Sequence, residues 1–131
     1  LIDYEKDTKY LIQGNEQRLS QVFTNLIDNA LSFNKKNKKI EILLKSKKNN
    51  IFIEINDYGP GIRINNFNKI FDRFYTERPS NENFGEHSGL GLSIAKQIID
   101  VHKGTINVEN RINKNKEING AKFIITLKKA D

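Results

Sequence analysis

Apolar residues recur along the first quarter of the chain at the three- and four-residue spacing of a helix with one buried face: Leu19, Val22, Phe23, Leu26, Ile27 and Ala30. The spacing predicts a helix over Arg18 to Phe33, with Gly14-Asn15 as the turn before it and Asn15 as its N-cap. Ahead of it Tyr10 to Gln13 reads as a short strand, with Leu1 to Lys9 as its partner or a cut end. After a polar loop at 34–39, Ile40 to Ser46 and Ile51 to Asn56 alternate apolar and polar residues around Lys47-Lys48-Asn49-Asn50, which predicts a hairpin. Phe67, Ile70, Phe71 and Phe74 mark a short apolar helix. The polar run from Thr76 to Asn83 follows, and its composition gives it little reason to be rigid. A second strong helix is predicted over Leu92 to Val101, with Leu92, Ala95, Ile98 and Ile99 buried and Gly104 ending it. Thr105 to Glu109 and Ala121 to Lys128 read as two more strands, joined by a polar loop that ends at Asn119-Gly120. This order implies an α/β two-layer sandwich: a mixed, mainly antiparallel sheet with about three helices on one face and a mobile lid over 63–87.

Composition narrows the partners more than the fold. At 131 residues the chain is expected to be one domain with a single core. It has no cysteine and no apolar run long enough to cross a bilayer. A soluble domain in a reducing compartment fits that composition. The net charge of +6 raises nucleic acid as a partner, but the lysines are scattered in turn-like pairs such as Lys35-Lys36 and Lys47-Lys48. With no basic helix face and no aromatic-basic alternation, nucleic acid is not expected.

Three stretches carry candidate chemistry. On the first helix Asn25 and Asn29 lie about 40° apart, with Ser32 beside them and Asn29 bordering the buried stripe next to Val22 and Phe33. Two stacked carboxamides can offer oxygen to a metal and nitrogen to phosphate oxygens; equally, they can be polar residues on a solvated flank. Asp57, Gly59 and Gly61 follow a core strand. A carboxylate there can accept from an exocyclic amine, and glycines let backbone pass close to a flat ring. Asp, Gly and Pro also simply form turns. Gly85 and Ser88-Gly89-Leu90-Gly91-Leu92 lead into a helix N-terminus, whose free N–H groups suit phosphate. The same small residues also suit a tight helix entry. Neither a dinucleotide fingerprint nor a P-loop fits, because Ile94 stands where the third glycine would be and no Gly-Lys-Ser/Thr occurs.

Taken together, in this order and at these distances, the pieces strongly resemble the catalytic ATP-binding domain of bacterial sensor histidine kinases, in the larger family that includes gyrase, Hsp90 and MutL ATPase domains. The resemblance covers the asparagine box (Asn25 to Phe33), a first glycine box (Asp57 to Ile62) and the phenylalanine box (Ile70 to Tyr75). It continues through a second glycine box (Gly85 to Leu92) and the last glycine, Gly120. The run from Phe71 to Pro79, with Phe84 to Ser88, is most similar to the alphaproteobacterial envelope-stress sensors. The resemblance implies a Bergerat-type fold that binds ATP with Mg²⁺. Asn29 would ligate the metal, Asn25 would assist at metal and phosphates, and Ser32 and Phe33 would complete that helix's share. Asp57 would read the adenine amine, with Gly59, Gly61 and Ile62 lining the ring. Ser88, Gly89, Leu90, Gly91 and Leu92 would hold phosphates, and Tyr75 with Arg73 or Arg78 would belong to the lid. The chain departs from the usual pattern at Ser32, often a basic residue, at Tyr58, usually Asn, at Glu86-His87, usually a glycine pair, and at Thr76, often Arg.

One residue separates the enzyme classes within this resemblance. ATPase relatives carry Glu at the position of Asn25, and a carboxamide cannot take a proton from water. The resemblance therefore implies a protein histidine kinase that keeps the γ-phosphate for transfer. Neither His87 nor His102 lies in a helical His-Glu/Asp segment followed by Pro, so the acceptor is expected on a separate dimerisation domain preceding Leu1. The whole protein is expected to be a membrane-anchored homodimer with this domain in the cytoplasm, signalling to a response regulator. A Ser/Thr-directed anti-sigma-type kinase of the same fold and a regulatory nucleotide-binding module without transfer are the alternatives.

Overall fold

The computed structural model of the chain describes residues 1–33, 39–62, 67, 69–72 and 90–130, without the side chain of Phe33. In chain order the elements are β1 (Ile2–Asp3), α1 (Glu16–Phe33), β2 (Glu41–Lys47), β3 (Asn50–Asn56), a 3₁₀ turn (Lys69–Phe71), α2 (Gly91–Val101), β4 (Thr105–Ile112) and β5 (Ile118–Lys128). The strands form one sheet in the order β1-β2-β3-β5-β4, with only the β1–β2 pair parallel. This is the mixed, mainly antiparallel sheet expected. The described residues hold two α-helices rather than three. The described part of the expected short helix is the 3₁₀ turn, where Ile70 is buried and Phe71 meets Phe123 edge-on, ring centroids 6.3 Å apart.

Alternation explains which sheet face is covered. Ile51, Ile53 and Ile55 of β3 and Ala121, Phe123, Ile125 and Leu127 of β5 are buried, and their neighbours are not uniformly so. They meet Leu19, Val22, Leu26 and Ala30 of α1 and Ala95, Ile98 and Ile99 of α2 in a single apolar core. The predicted stripe on α1 is the observed one, with Phe23 and Ile27 at its half-buried margin. Leu26 is fully buried, a side chain of the kind whose burial contributes about 1.5–3 kcal/mol. Asn15 caps α1 as expected, its Oδ1 accepting the Arg18 N–H at 2.9 Å.

Four expectations are corrected. Tyr10 to Gln13 is not a strand. Its alternation is real, Tyr10 and Ile12 packing on the core while Leu11 is exposed. However, among the described residues its one backbone bond to another segment runs from the Ala130 N–H to the Leu11 C=O at 2.8 Å. The edge strand is instead Ile2–Asp3, in register with Ile42 and Leu43. The β2–β3 turn is tighter than a four-residue loop, because Lys47 pairs with Asn50 and Lys48 takes a positive φ of 56°. Gly104 is not the left-handed residue that ends α2, since Lys103 is, at φ 60°. Gly104 is fixed by packing: a Cβ there would lie 2.5 Å from the Thr126 carbonyl oxygen. Finally, Asn119-Gly120 ends no loop. β5 begins at Ile118, and between the pairs Asn110–Ala121 and Ile112–Ile118 it holds two residues, Asn119 and Gly120, against the single Arg111 of β4. That is a β-bulge.

Candidate functional site

Helix α1 carries Asn25, Asn29 and Ser32, all half-buried. One of them makes a contact that ties two predicted motifs together: Asn25 Nδ2 donates to the Gly91 carbonyl oxygen at 3.1 Å. Gly91 is the first residue of α2, preceded by Leu90 as N-cap, and among the described residues no side chain caps this helix. The contrast with α1 is chemical, for Leu90 has no side-chain acceptor to satisfy the first N–H groups. The start of α2 therefore presents backbone donors and the positive end of a helix dipole beside the Asn25 carboxamide. Gly91 itself is exposed, and among the described residues a Cβ added to it meets nothing closer than the Asn25 Cβ at 3.8 Å.

The second group is the turn after β3. Asp57 is 1% exposed, and its Oδ1 accepts two backbone N–H groups, from Gly59 and from Ala121, each at 3.0 Å. Its own N–H donates to the Ala121 carbonyl oxygen at 3.0 Å. A carboxylate has about four lone-pair sites for donors. Gly61 has φ +79°, and a Cβ there would press on Ile118 Cγ2 at 2.4 Å and Asn110 Oδ1 at 2.8 Å. The fold's own packing thus requires this glycine, whereas the sequence reading assigned it to clearance for a ring. Gly120 has φ +143°, and its Cβ would fall 1.9 Å from the Asp57 carbonyl oxygen. The last glycine is what lets β5 lie against the carboxylate-bearing residue. Ile62 is buried beside this turn.

Of the remaining residues singled out, Leu92 lies half-buried in the first turn of α2. Arg73, Tyr75, Arg78, Ser88, Gly89 and the Phe33 side chain lie outside the described residues, as does most of the lid at 63–87. No group of three or more His, Cys, Asp or Glu residues placed to hold a metal occurs among the described residues. Among them also, no helix is long and apolar enough to cross a membrane.

Residues 14–131 match the family described as histidine kinase-, DNA gyrase B- and HSP90-like ATPases. The chain belongs to that family. It is 40% identical over 137 residues to the sensor protein ChvG of Agrobacterium fabrum, covering 99% of this chain and 23% of the relative. It is 38% identical over 117 residues to the histidine-protein kinase ArlS of Staphylococcus aureus, covering 86% of this chain and 26% of the relative. The chain thus spans about a quarter of the length of the curated relatives it matches. The catalytic domain of the histidine kinase ThkA superposes with a TM-score of 0.77 at 33% identity, covering 99% of this chain and 82% of that one. Identity to the alphaproteobacterial ChvG proteins agrees with the narrower resemblance read from the Phe71 to Ser88 region.

Within this ATPase-family domain the structure adds residues that motif reading passed over. Asn110 grips Ile62 at both backbone groups, accepting its N–H at Oδ1 (2.7 Å) and donating from Nδ2 to its carbonyl oxygen. Arg111 donates from Nη1 to the Asp57 carbonyl oxygen at 3.1 Å, and its guanidinium carbon lies 4.1 Å from the centroid of the Tyr58 ring. The Tyr58 hydroxyl donates to Glu41 Oε1, and Lys39 Nζ lies 5.5 Å from the same ring centroid. The Tyr58 hydrogen bond, then the Lys39 and Arg111 charges, hold the Glu41 carboxyl below its ordinary value, burial opposing them. A signal for Asn110 was present: it continues the inward alternation of Ile106 and Val108, and a polar residue in an inward register implies a buried partner.

Proposed function

We propose that this chain is the nucleotide-binding kinase domain of a sensor histidine kinase. In this reading it binds Mg·ATP and donates the γ-phosphate to a histidine on a separate dimerisation domain. Its likeness to ChvG, ArlS and the ThkA catalytic domain supports that reading over the hydrolytic members of the family. The observation that carries it is Asn25. The residue beside the uncapped start of α2 is a carboxamide committed as donor to the Gly91 carbonyl oxygen, so position 25 supplies no base to activate water.

Asp57, buried and acceptor-only, reads the exocyclic amine of adenine; a guanine carbonyl at that place would oppose the carboxylate. Gly59, Gly61 and Ile62 shape the wall beside the base. The N–H groups at the start of α2, with Leu90, Gly91 and Leu92, take phosphate oxygens. The donor set fits a magnesium ion that arrives with the nucleotide. Asn29 offers one hard carboxamide oxygen, and this ion commonly takes only one or two protein ligands plus phosphates and waters. When bound, the ion would neutralise phosphate charge. Asn29 would hold it and Asn25 would keep the two helices in register beside it. The whole protein is then a membrane-anchored homodimer, with this domain on the cytoplasmic side and a response regulator as its downstream partner.

Radiolabelled ATP, Mg²⁺ and a separately supplied phosphoacceptor domain test this reading. Acid-labile, alkali-stable label on the acceptor is the expected result, as for phosphohistidine. Acid-stable label would favour the Ser/Thr-directed alternative. Binding without any transfer would leave a regulatory nucleotide module.

A further inference from the structure

The Asp57–Ile62 turn is gripped at both ends by two consecutive residues of one strand. In an uninterrupted ladder Asn110 and Arg111 would send their side chains to opposite faces of the sheet. Here Arg111 stands opposite the two-residue bulge Asn119-Gly120, and both side chains reach the turn. Asn110 holds the N–H and C=O of Ile62. Arg111 holds the C=O of Asp57 while its guanidinium covers Tyr58, whose hydroxyl is anchored on Glu41. Gly61, with no side chain, leaves room for Asn110 Oδ1 against the backbone.

We propose that Asn110 and Arg111 are positioning residues that set how strictly the chain discriminates among purine bases, acting through this turn. The inference rests on the reading of Asp57 as acceptor for the adenine amine. A carboxylate rejects a carbonyl in place of an amine only while it is held against it; a turn free to shift lets the oxygens separate, and the penalty falls. Arg111 is suited to the task because its planar fork donates while its face stacks, which a lysine cannot do. A purely structural role would lower stability, or affinity for every nucleotide alike. A positioning role lowers the ratio between two bases.

The test is calorimetric binding of ATP and of inosine triphosphate, which carries a 6-oxo group in place of the 6-amino group. It uses the wild-type chain, Asn110→Ser, Arg111→Lys, Arg111→Ala and Asp57→Asn, each with its melting curve. Asn110→Ser and Arg111→Lys are mild enough to guard against loss of the fold. The wild type should prefer ATP, and Asp57→Asn should abolish the preference. Asn110→Ser and Arg111→Ala should cut the ratio by about three- to tenfold, the size of one hydrogen bond at 1.4 kcal/mol per decade, with Arg111→Lys in between. A ratio within about twofold of wild type in all three variants, with Asp57→Asn still losing it, would overturn the positioning role and leave Asp57 as reader. No preference in the wild type, or one that Asp57→Asn does not touch, would overturn both.

Discussion

Gly91 is the glycine whose substitution separates binding from folding. At Gly61, Gly104 and Gly120 an added Cβ would come within 2.5 Å of another atom, so the fold itself demands glycine there. At Gly91 the nearest atom of the described residues to an added Cβ is 3.8 Å away, and the residue opens a regular helix. Gly91→Ala should therefore stabilise the apo domain, by up to the roughly 0.5–1 kcal/mol that separates glycine from alanine in helices. With an unfolding entropy of about 2.1 cal/mol/K per residue, 131 residues give about 0.3 kcal/mol per kelvin. The melting temperature should rise by about 2–4 °C at most. The new methyl would also stand against Asn25 at the proposed phosphate site, where overpacking costs typically 1–3 kcal/mol. Affinity for Mg·ATP should fall about five- to a hundredfold. Calorimetric melting and titration on the same preparation measure both. Unchanged Mg·ATP affinity alongside a raised melting temperature would show that α2 does not receive phosphates at its first residue. A melting temperature lowered by more than about 5 °C would refute the steric reading of Gly91.

Gly120→Ala should be the opposite case: a Cβ 1.9 Å from the Asp57 carbonyl oxygen cannot be absorbed by a rotamer change, and a stable variant with native near-ultraviolet dichroism would contradict the bulge geometry. Asn15→Ala removes the N-cap bond to Arg18 and should cost about 1 kcal/mol in denaturant midpoint analysis; no change would mean that water caps α1 as well as Asn15 does. Glu41→Gln tests the Tyr58 cluster through pH. Because the folded carboxyl lies below its ordinary value of 4.5, its stabilisation is full above that value and is lost as pH falls through the folded one. The stability gap between wild type and Glu41→Gln should narrow on acidification from about pH 6 to pH 3, and a gap that widens would reverse the assignment.

Much of this arrangement is legible in the residues because burial imposes a period. The α1 stripe and the alternation of Ile51, Ile53 and Ile55 could be placed without knowing what covers them. Asn25, Asn29 and Asp57 stand out as candidate chemistry, since their types and spacing survive any error in element boundaries. The misreadings share one cause: local chemistry underdetermines pairing. Asn119-Gly120 suits a turn or a bulge equally, because both accept unusual backbone angles, and only the partner strand decides. Tyr10 to Gln13 alternates like a strand but lacks a ladder. Lys103-Gly104 looked like a glycine-terminated helix, yet a lysine took the left-handed position and the glycine was spent on the approach of Thr126. Arg111 was invisible for a related reason, since its reach to Asp57 depends on a register shift encoded in another strand.

The two helices of the site are fastened to each other at both ends, and the fastenings are of different kinds. At the C-terminal end of α2, His102 Nε2 accepts the Asn15 N–H at 3.0 Å while Nδ1 meets the Ile98 carbonyl oxygen at 2.8 Å. That pair of contacts places the ring proton on Nδ1 and locks the start of α1 to the end of α2. At the other end the polar link among the described residues runs from Asn25 to the Gly91 carbonyl oxygen. Asn25→Leu is nearly isosteric but removes the donor and adds no charge at this helix end. The His102 contact and the apolar core remain, so α2 should loosen from its N-terminus alone. The first amide to report this is that of Ile94, which bonds to the Leu90 carbonyl oxygen at 2.9 Å. Hydrogen exchange at Ile94 and Ala95 should speed up about three- to tenfold, the equivalent of one lost hydrogen bond, while Ile98 and Ile99 hold their rates. Uniform acceleration along α2 would mean that the helix opens as one unit, and that Asn25 does not hold its N-terminal end independently of His102.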